Sequence, residues 1–303
     1  MKTNQIEFKP MIVPTLKGID NLDNIPDELF PLYYMPFFKG LPLYIKDGRI
    51  KVNGTNELVK NYELGKELKF LRDLTHKIGF VIHLTFQYKN FKGNKLYEEV
   101  LNEYGQLPKD YKLQFTDVVI KHPKSLVKMK LDPRDANMWF IENALKRENS
   151  IKPHWYFNRA YIAPTNKELY DYIEPRLIYD NDIAGVTLHK PKSSYHCGFA
   201  NSEVDIINID LLKEEEFTII NLKCKVLPYG KKDNASIVSE LVISKGTSIY
   251  ILDVSTLDMP TRKLMWDKRS LLYNKPAIIE VLTIPSSTSP IFKRIIRLGA
   301  EIK

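Results

Sequence analysis

Runs of β-forming residues, each long enough for only a single strand, recur from Leu43 to Leu282 and are broken by a few stretches of helical spacing. Residues 43–45 and 49–52 flank Lys46-Asp47-Gly48, and a turn of that composition between two extended runs predicts a hairpin. Leu64, Leu68, Leu71 and Ile78 then recur at helical spacing with Gly79 as a stop, which predicts one amphipathic helix over 63–78. A strand at 80–87, a helix over 96–104 ended by Gly105 and a strand at 113–120 follow. Asp132-Pro133 supplies an N-cap and a first-turn proline for a helix through Trp139 and Leu145. Residues 155–163 read as one strand, and Thr165 with Glu168 as a capping box for a helix to Ile173.

The remainder is mostly strand, at 184–189, 204–209, 217–226, 236–243, 248–252 and 277–282, with one helix over 261–271. Short strands around a single helix suit a small barrel of the OB type, so the class is α+β. A chain of 303 residues exceeds the usual single domain, and the charged run Lys213-Glu214-Glu215-Glu216 marks the expected boundary between domains 1–212 and 213–303. Charge is divided unevenly along the chain. Residues 217–303 hold fourteen Lys and Arg against seven Asp and Glu, while the rest is nearly balanced. A basic excess in one domain favours a polyanion. The candidate contacts to a DNA backbone are Lys225, Lys231, Lys232, Lys263, Lys268, Arg269, Lys293, Arg294 and Arg297. Of these, Lys293, Arg294 and Arg297 are expected to be exposed and removable without harm to the fold.

No apolar run approaches the ~18 to 20 residues of a membrane span, and the first ten residues are polar, so a cytoplasmic protein with no membrane partner is expected. Cys197 and Cys224 are expected as reduced thiols. His189 with His196-Cys197 reads as an ordinary loop, not a metal site, and no cofactor is expected. His76, His83, His122 and His154 read as structural, and Trp139, Trp155 and Trp266 as core.

The segment Met35-Pro36-Phe37-Phe38-Lys39-Gly40-Leu41-Pro42, with the hairpin and Lys51-Val52-Asn53-Gly54 after it, resembles the opening of ATP-dependent DNA ligases, in which K-x-D-G-x-R precedes a strand and a Gly turn. On that resemblance the nucleophilic lysine falls on Phe37, the Asp on Lys39, the Gly on Gly40 and the Arg on Pro42. Residues 80–86 resemble the strand that ends in D-G-E, with Thr85 in place of the carboxylate, and Phe115-Thr116-Asp117 resembles F-x-x-F-D. Residues 183–188 look like Y-E-G-V-V-L with Ala184 for Glu. Residues 205–210 look like D-L-L-K-L-K with Asn208 and Asp210 for the lysines. Residues 257–266 and 289–297 resemble two later family segments, so the resemblance covers most of the chain.

The resemblance implies a ligase-type nucleotidyltransferase domain of antiparallel sheets with helices, followed by an OB-fold barrel. It also implies that the catalytic groups are missing. A phenyl ring at Phe37 is no nucleophile, and Pro42, Thr85, Ala184, Asn208 and Asp210 supply neither the cations nor the carboxylates that a triphosphate and its metal need. The expected function is a catalytically inactive ligase-like protein that binds duplex or nicked DNA. One alternative is a partner or inhibitor of a replication or repair protein. Another is an active polynucleotide ligase using Lys51, because Lys51-Val52-Asn53-Gly54-Thr55-Asn56 is similar to the K-x-x-G-T-N motif of some RNA ligases. Phe37-Phe38 is expected to fill a pocket that no longer admits a nucleotide.

Overall fold

The computed structural model describes residues 15–17, 25–87, 93–108, 111–120, 133–180, 182–191, 206–229, 233–255, 257–282 and 289–299. The chain divides into two compact units, Met1–Leu211 and Leu212–Lys303. In the first unit the strands are β1 (Thr15–Lys17), β2 (Leu32–Phe38), β3 (Leu41–Lys46), β4 (Arg49–Val52), β5 (Phe80–Gln87), β6 (Lys112–Ile120), β7 (Trp155–Phe157), β8 (Tyr161–Ala163), β9 (Ile183–His189) and β10 (Ile206–Asp210). Its helices are α1 (Tyr62–Glu67), α2 (Lys69–Ile78), α3 (Gly93–Leu101), α4 (Pro133–Arg147) and α5 (Asn166–Tyr179). The strands form two five-stranded sheets, β1-β10-β9-β2-β8 and β4-β3-β5-β6-β7. Each sheet contains one parallel pair, β1 with β10 and β6 with β7, so the expected antiparallel sheets are in fact mixed.

Local chemistry explains most of these elements. Asp47 and Gly48 both adopt positive φ, 49° and 76°, as a two-residue hairpin turn between twisted strands requires. Gly79 closes α2 in the left-handed region with its N–H on Thr75 O. The single helix expected over 63–78 is interrupted at Leu68, and Glu67 beside the break accepts hydrogen bonds from Tyr111, His154 and Trp155. Helix α3 stops at Leu101, short of Tyr104. Gly105 is there for a close approach rather than a left-handed stop, since a Cβ on it would lie 2.0 Å from Glu99 O. Helix α5 is capped by Thr165 as expected but runs on through Pro175, at the cost of one backbone donor and of crowding against the preceding turn. The proposed cap Asp132 lies outside the described residues.

The one strand expected over 155–163 is two, in different sheets. β7 belongs to the second sheet and β8 to the first, so the chain crosses between them at residues 158–160. Asn158 fixes this crossing. Its backbone N–H donates to Phe115 O at 3.0 Å, its Nδ2 donates to Pro36 O of β2 at 3.1 Å, and its Oδ1 accepts from Gln114 of β6. A second crossing joins β2 to β3 through Lys39 and Gly40, where a Cβ on Gly40 would sit 2.5 Å from Phe86 O. The main apolar core of this unit packs Leu43, Ile45, Leu84, Phe86 and Phe115 of the second sheet against Leu64, Leu71, Ile141 and Leu145. Trp155 belongs to that core, but Trp139 is 47% exposed, contrary to expectation.

The second unit is a sheet of β11 (Leu212–Tyr229), β12 (Asp233–Lys245), β13 (Ser248–Asp253), β14 (Pro276–Leu282) and β15 (Ile291–Leu298), ordered β13-β12-β11-β14-β15. Helices α6 (Met259–Asp267) and α7 (Arg269–Leu272) replace the single helix expected over 261–271. The charged run Lys213–Glu216 follows directly on the division between the two units at Leu211 and Leu212. It lies inside β11 in register with Val281 to Ile278 of β14, its side chains exposed or half-buried. Strands β13 and β15 sit at opposite edges of the sheet, yet Tyr250 and Phe292 approach to 5.5 Å and both pack on Phe217. The sheet therefore curls around its own core. No described helix is long and apolar enough to cross a membrane.

Among the glycines described in the first unit, Gly185 on β9 makes the tightest backbone approach, for a Cβ there would meet Ile209 O at 1.9 Å. Gly185→Ala should therefore push β10 away and lower unfolding stability by roughly 2 kcal/mol. Urea denaturation followed by far-UV circular dichroism measures this, and an unchanged midpoint would refute the tight packing of β9 on β10.

Candidate ligand cavity and basic surface

A cavity of about 270 Å³ lies in the first unit and is lined from both sheets. Residues 35–38 of β2 and Thr187 and Asn208 of β9 and β10 contribute from one side. Pro42 and Leu43 of β3, 83–85 of β5, and Thr116 and Asp117 of β6 contribute from the other, with Lys39, Gly40, Asn53 and Asn158 at the crossings and turns. The second sheet turns its apolar face to the helices, so by strand alternation its polar face meets the first sheet. His83, Gln114, Asp117, Asn158 and Thr187 are accordingly buried polar groups. His83 stands opposite Asp117 across β5 and β6, and Thr187 Oγ1 donates to Asn208 Oδ1 at 2.6 Å.

Of the positions singled out by the resemblance, the cavity brings together Phe37, Lys39, Pro42, Thr85 and Asn208. Pro42 and Thr85 are direct cross-strand partners, and Phe37 lies opposite Gly185. Ala184 and Asp210 are buried but do not line the cavity. Lys39 Nζ is 3.7 Å from Asp210 Oδ2, an ion pair in which each member carries the opposite sign from the one the resemblance places there. Phe37 and Phe38 line the cavity rather than fill it, which corrects the expectation of a closed pocket.

Lys51 is placed at the end of a cross-strand row through Tyr44 and His83 to Asp117 but is not among the lining residues. The turn after it serves a structural purpose. Gly54 and Asn56 take positive φ, Asn56 Oδ1 accepts from Tyr44 at 3.0 Å, and Tyr97 hydrogen-bonds Thr55 and Glu57. Burial raises the pKa of the Tyr44 phenol, which keeps it a neutral donor. His83 was missed as a lining residue, although it lies two residues before Thr85 and shares its face of β5. His189 is not in a loop but ends β9, buried and stacked on Tyr33 at 5.2 Å. His122, His196 and Cys197 lie outside the described residues.

ATP and a divalent metal, which the resemblance would bring to this cavity, do not fit the groups present. Among the described residues lining it, Lys39 supplies the ammonium and Asp117 the carboxylate, and the Lys39 charge is shared with Asp210. A polyphosphate and its metal need several of each.

No protein-family model and no curated protein sequence matches the chain. Solved structures do match. A Chlorella virus DNA ligase-adenylate aligns over 95% of this chain and 98% of its own at 16% identity and a TM-score of 0.60. A second structure of the Chlorella virus DNA ligase-adenylate aligns over 97% and 99% at 16% identity and a TM-score of 0.55. The chain has an ATP-dependent DNA ligase-like fold. The likeness runs through both units of this ligase-like chain.

The basic residues of the second unit differ in how they are held. Lys225 on β11 and Arg297 on β15 are exposed, and Lys231 and Lys232 lie outside the described residues. Lys263 pairs with Asp267 at 2.5 Å, and Arg269 stacks 4.6 Å from the Trp266 ring and donates to Trp266 O. Lys268 forms the joint between α6 and α7, and Lys293 lies half-buried on β15. Trp266 is partly buried against the core of this unit. Arg294 is not the freely removable surface charge that was expected, because its guanidinium lies 3.0 Å from the carboxylate of Glu280, which is 3% exposed. Arg294→Ala would leave that carboxylate buried without this partner and should cost about 2 kcal/mol or more, against less than about 0.5 kcal/mol for Arg297→Ala. Thermal unfolding of the two variants side by side tests the contrast, and equal losses would contradict it.

Proposed function

We propose that the protein is a ligase-type scaffold that binds DNA and performs no strand sealing, with its second unit an OB-type barrel. The observation that carries this reading is Phe37 on the cavity wall, where the resemblance calls for the attacking amine, with Pro42 and Thr85 facing each other beside it. A phenyl ring has no lone pair to attack phosphorus, and neither a proline ring nor a threonine hydroxyl replaces a phosphate-binding cation or a metal carboxylate. The position of Lys51 beyond the lining residues weighs against its use as a substitute nucleophile. The curled sheet of the second unit and the basic excess of residues 217–303 support a backbone-contacting surface, which is separable from any active site.

Incubation with radiolabelled ATP and magnesium should yield no covalent protein adduct. A stable adduct that disappears in Lys51→Ala would replace this reading with that of an active ligase.

Binding to duplex or nicked DNA should weaken steeply with salt, and each phosphate contact contributes roughly 0.9 to the slope of log affinity against log salt. Lys225→Ala with Arg297→Ala should flatten that slope by up to about two such contacts while leaving thermal stability unchanged. If the full chain fails to bind duplex, nicked and single-stranded DNA at low salt, the DNA reading falls and a protein partner takes its place.

A further inference from the structure

The corner between α7 and β14 in the second unit presents apolar side chains inside a basic frame. Helix α7 buries Leu272 completely in the core of that unit, and its neighbour Leu271 therefore faces outward, 54% exposed. Tyr273, just past the helix, is 36% exposed. A lone exposed leucine needs no explanation. Here it stands among Lys268, Arg269 and Lys275, in a segment, 258–275, that holds five Lys and Arg against two Asp. Both acids are committed within the segment, since Asp267 pairs with Lys263 at 2.5 Å and Asp258 caps α6 by accepting from Thr261 N–H at 2.7 Å. The surface is therefore complementary to negative charge. It is also held in place. Asn274 turns the corner at a φ of 57°, and the Asn274 N–H and Lys275 carbonyl bond the backbone of Ile219 at 2.8 and 2.9 Å. The Arg269 guanidinium lies 4.6 Å from the Trp266 ring and donates to Trp266 O at 3.0 Å, so little side-chain freedom remains to be lost when its other N–H groups meet a carboxylate. Trp, Tyr and Arg held together in this way are the composition of a binding hot spot.

We propose that this corner docks an acidic peptide segment of a partner protein, whose carboxylates meet Arg269 and Lys275 and whose apolar side chain covers Leu271 and Tyr273. Single-stranded nucleic acid suits the surface less well. It takes a succession of ring faces, whereas here Arg269 already covers Trp266 and the rest is one aliphatic side chain and one ring. The inference stands apart from the DNA reading, whose test replaces Lys225 of β11 and Arg297 of β15.

The test pans a phage-displayed library of random peptides against the full chain without DNA, then measures the enriched sequences as labelled synthetic peptides by fluorescence anisotropy at physiological salt. The enriched peptides should carry Asp or Glu around an apolar residue. Arg269→Ala and Leu271→Ser should each weaken their binding about tenfold, as loss of one hot-spot contact does, and leave thermal unfolding unchanged because both side chains are exposed. Lys225→Ala with Arg297→Ala should alter the peptide affinity by less than about twofold, since charges beyond the contact are screened. Absence of enriched acidic sequences, or an affinity that neither Arg269→Ala nor Leu271→Ser moves, would overturn the proposal. An oligothymidylate that displaces the peptides and itself loses affinity in Leu271→Ser would overturn it too, and would assign the corner to single-stranded nucleic acid. Peptide binding that persists in a chain unable to bind duplex DNA would show that the DNA reading alone has failed.

Discussion

The two sheets of the first unit are joined by a carboxamide. Asn158 stands where the chain leaves one sheet for the other, and it ties its own turn to Phe115, to Pro36 and to Gln114 at once. A buried carboxamide hydrogen-bonded at both its nitrogen and its oxygen holds geometry more tightly than apolar packing, because each lost bond would leave a desolvated group behind. The separation of the sheets, and with it the existence of the cavity between them, depends on this junction. The Lys39 and Gly40 crossing acts in the same sense, since there the backbone approaches Phe86 too closely for any side chain.

Elements set by local chemistry were legible in the sequence. The Asp47-Gly48 turn, the Gly79 stop and the Thr165 cap each follow from a preference expressed within a few residues. Residues 155–163 were not legible in this way, because β-propensity carries no information about which sheet a strand joins, and the switch at Asn158 is decided by partners as distant as Pro36. The run Lys213–Glu216 lies beside the division between the two units, inside a strand stretch paired with β14, where charge is tolerated because the side chains reach solvent.

At the site the sequence showed what had been lost more readily than what had been gained. Aligned positions revealed Phe37, Pro42 and Thr85 as departures from a pattern, whereas Asn158 lay outside every aligned segment and became visible only when the strands were set against one another. The opposed pair Lys39 and Asp210 makes the same point. Read singly, each is a missing group, but together they are a complementary ion pair whose two members have exchanged sign. Such an exchange keeps the attraction between neighbouring segments while it removes the arrangement that a substrate would have met. Arg294 shows the converse, a residue that looks like free surface charge in sequence and is structural in space.

Strand β11 pairs with β14 over Leu212 to Thr218 and with β12 from Thr218 to Tyr229, the second pairing shifting register between Ile219 and Asn221 and between Lys223 and Cys224, so its first part and its remainder answer to different neighbours. Adding or deleting one residue between Leu212 and Thr218, where the pairing with β14 runs without a shift, would turn that stretch inside out, sending Phe217 to solvent and a charge to the core. Relatives of this chain should therefore hardly vary in length between Leu212 and Thr218. The pattern of gaps among such relatives would then record where the second unit closes, even after sequence identity has decayed.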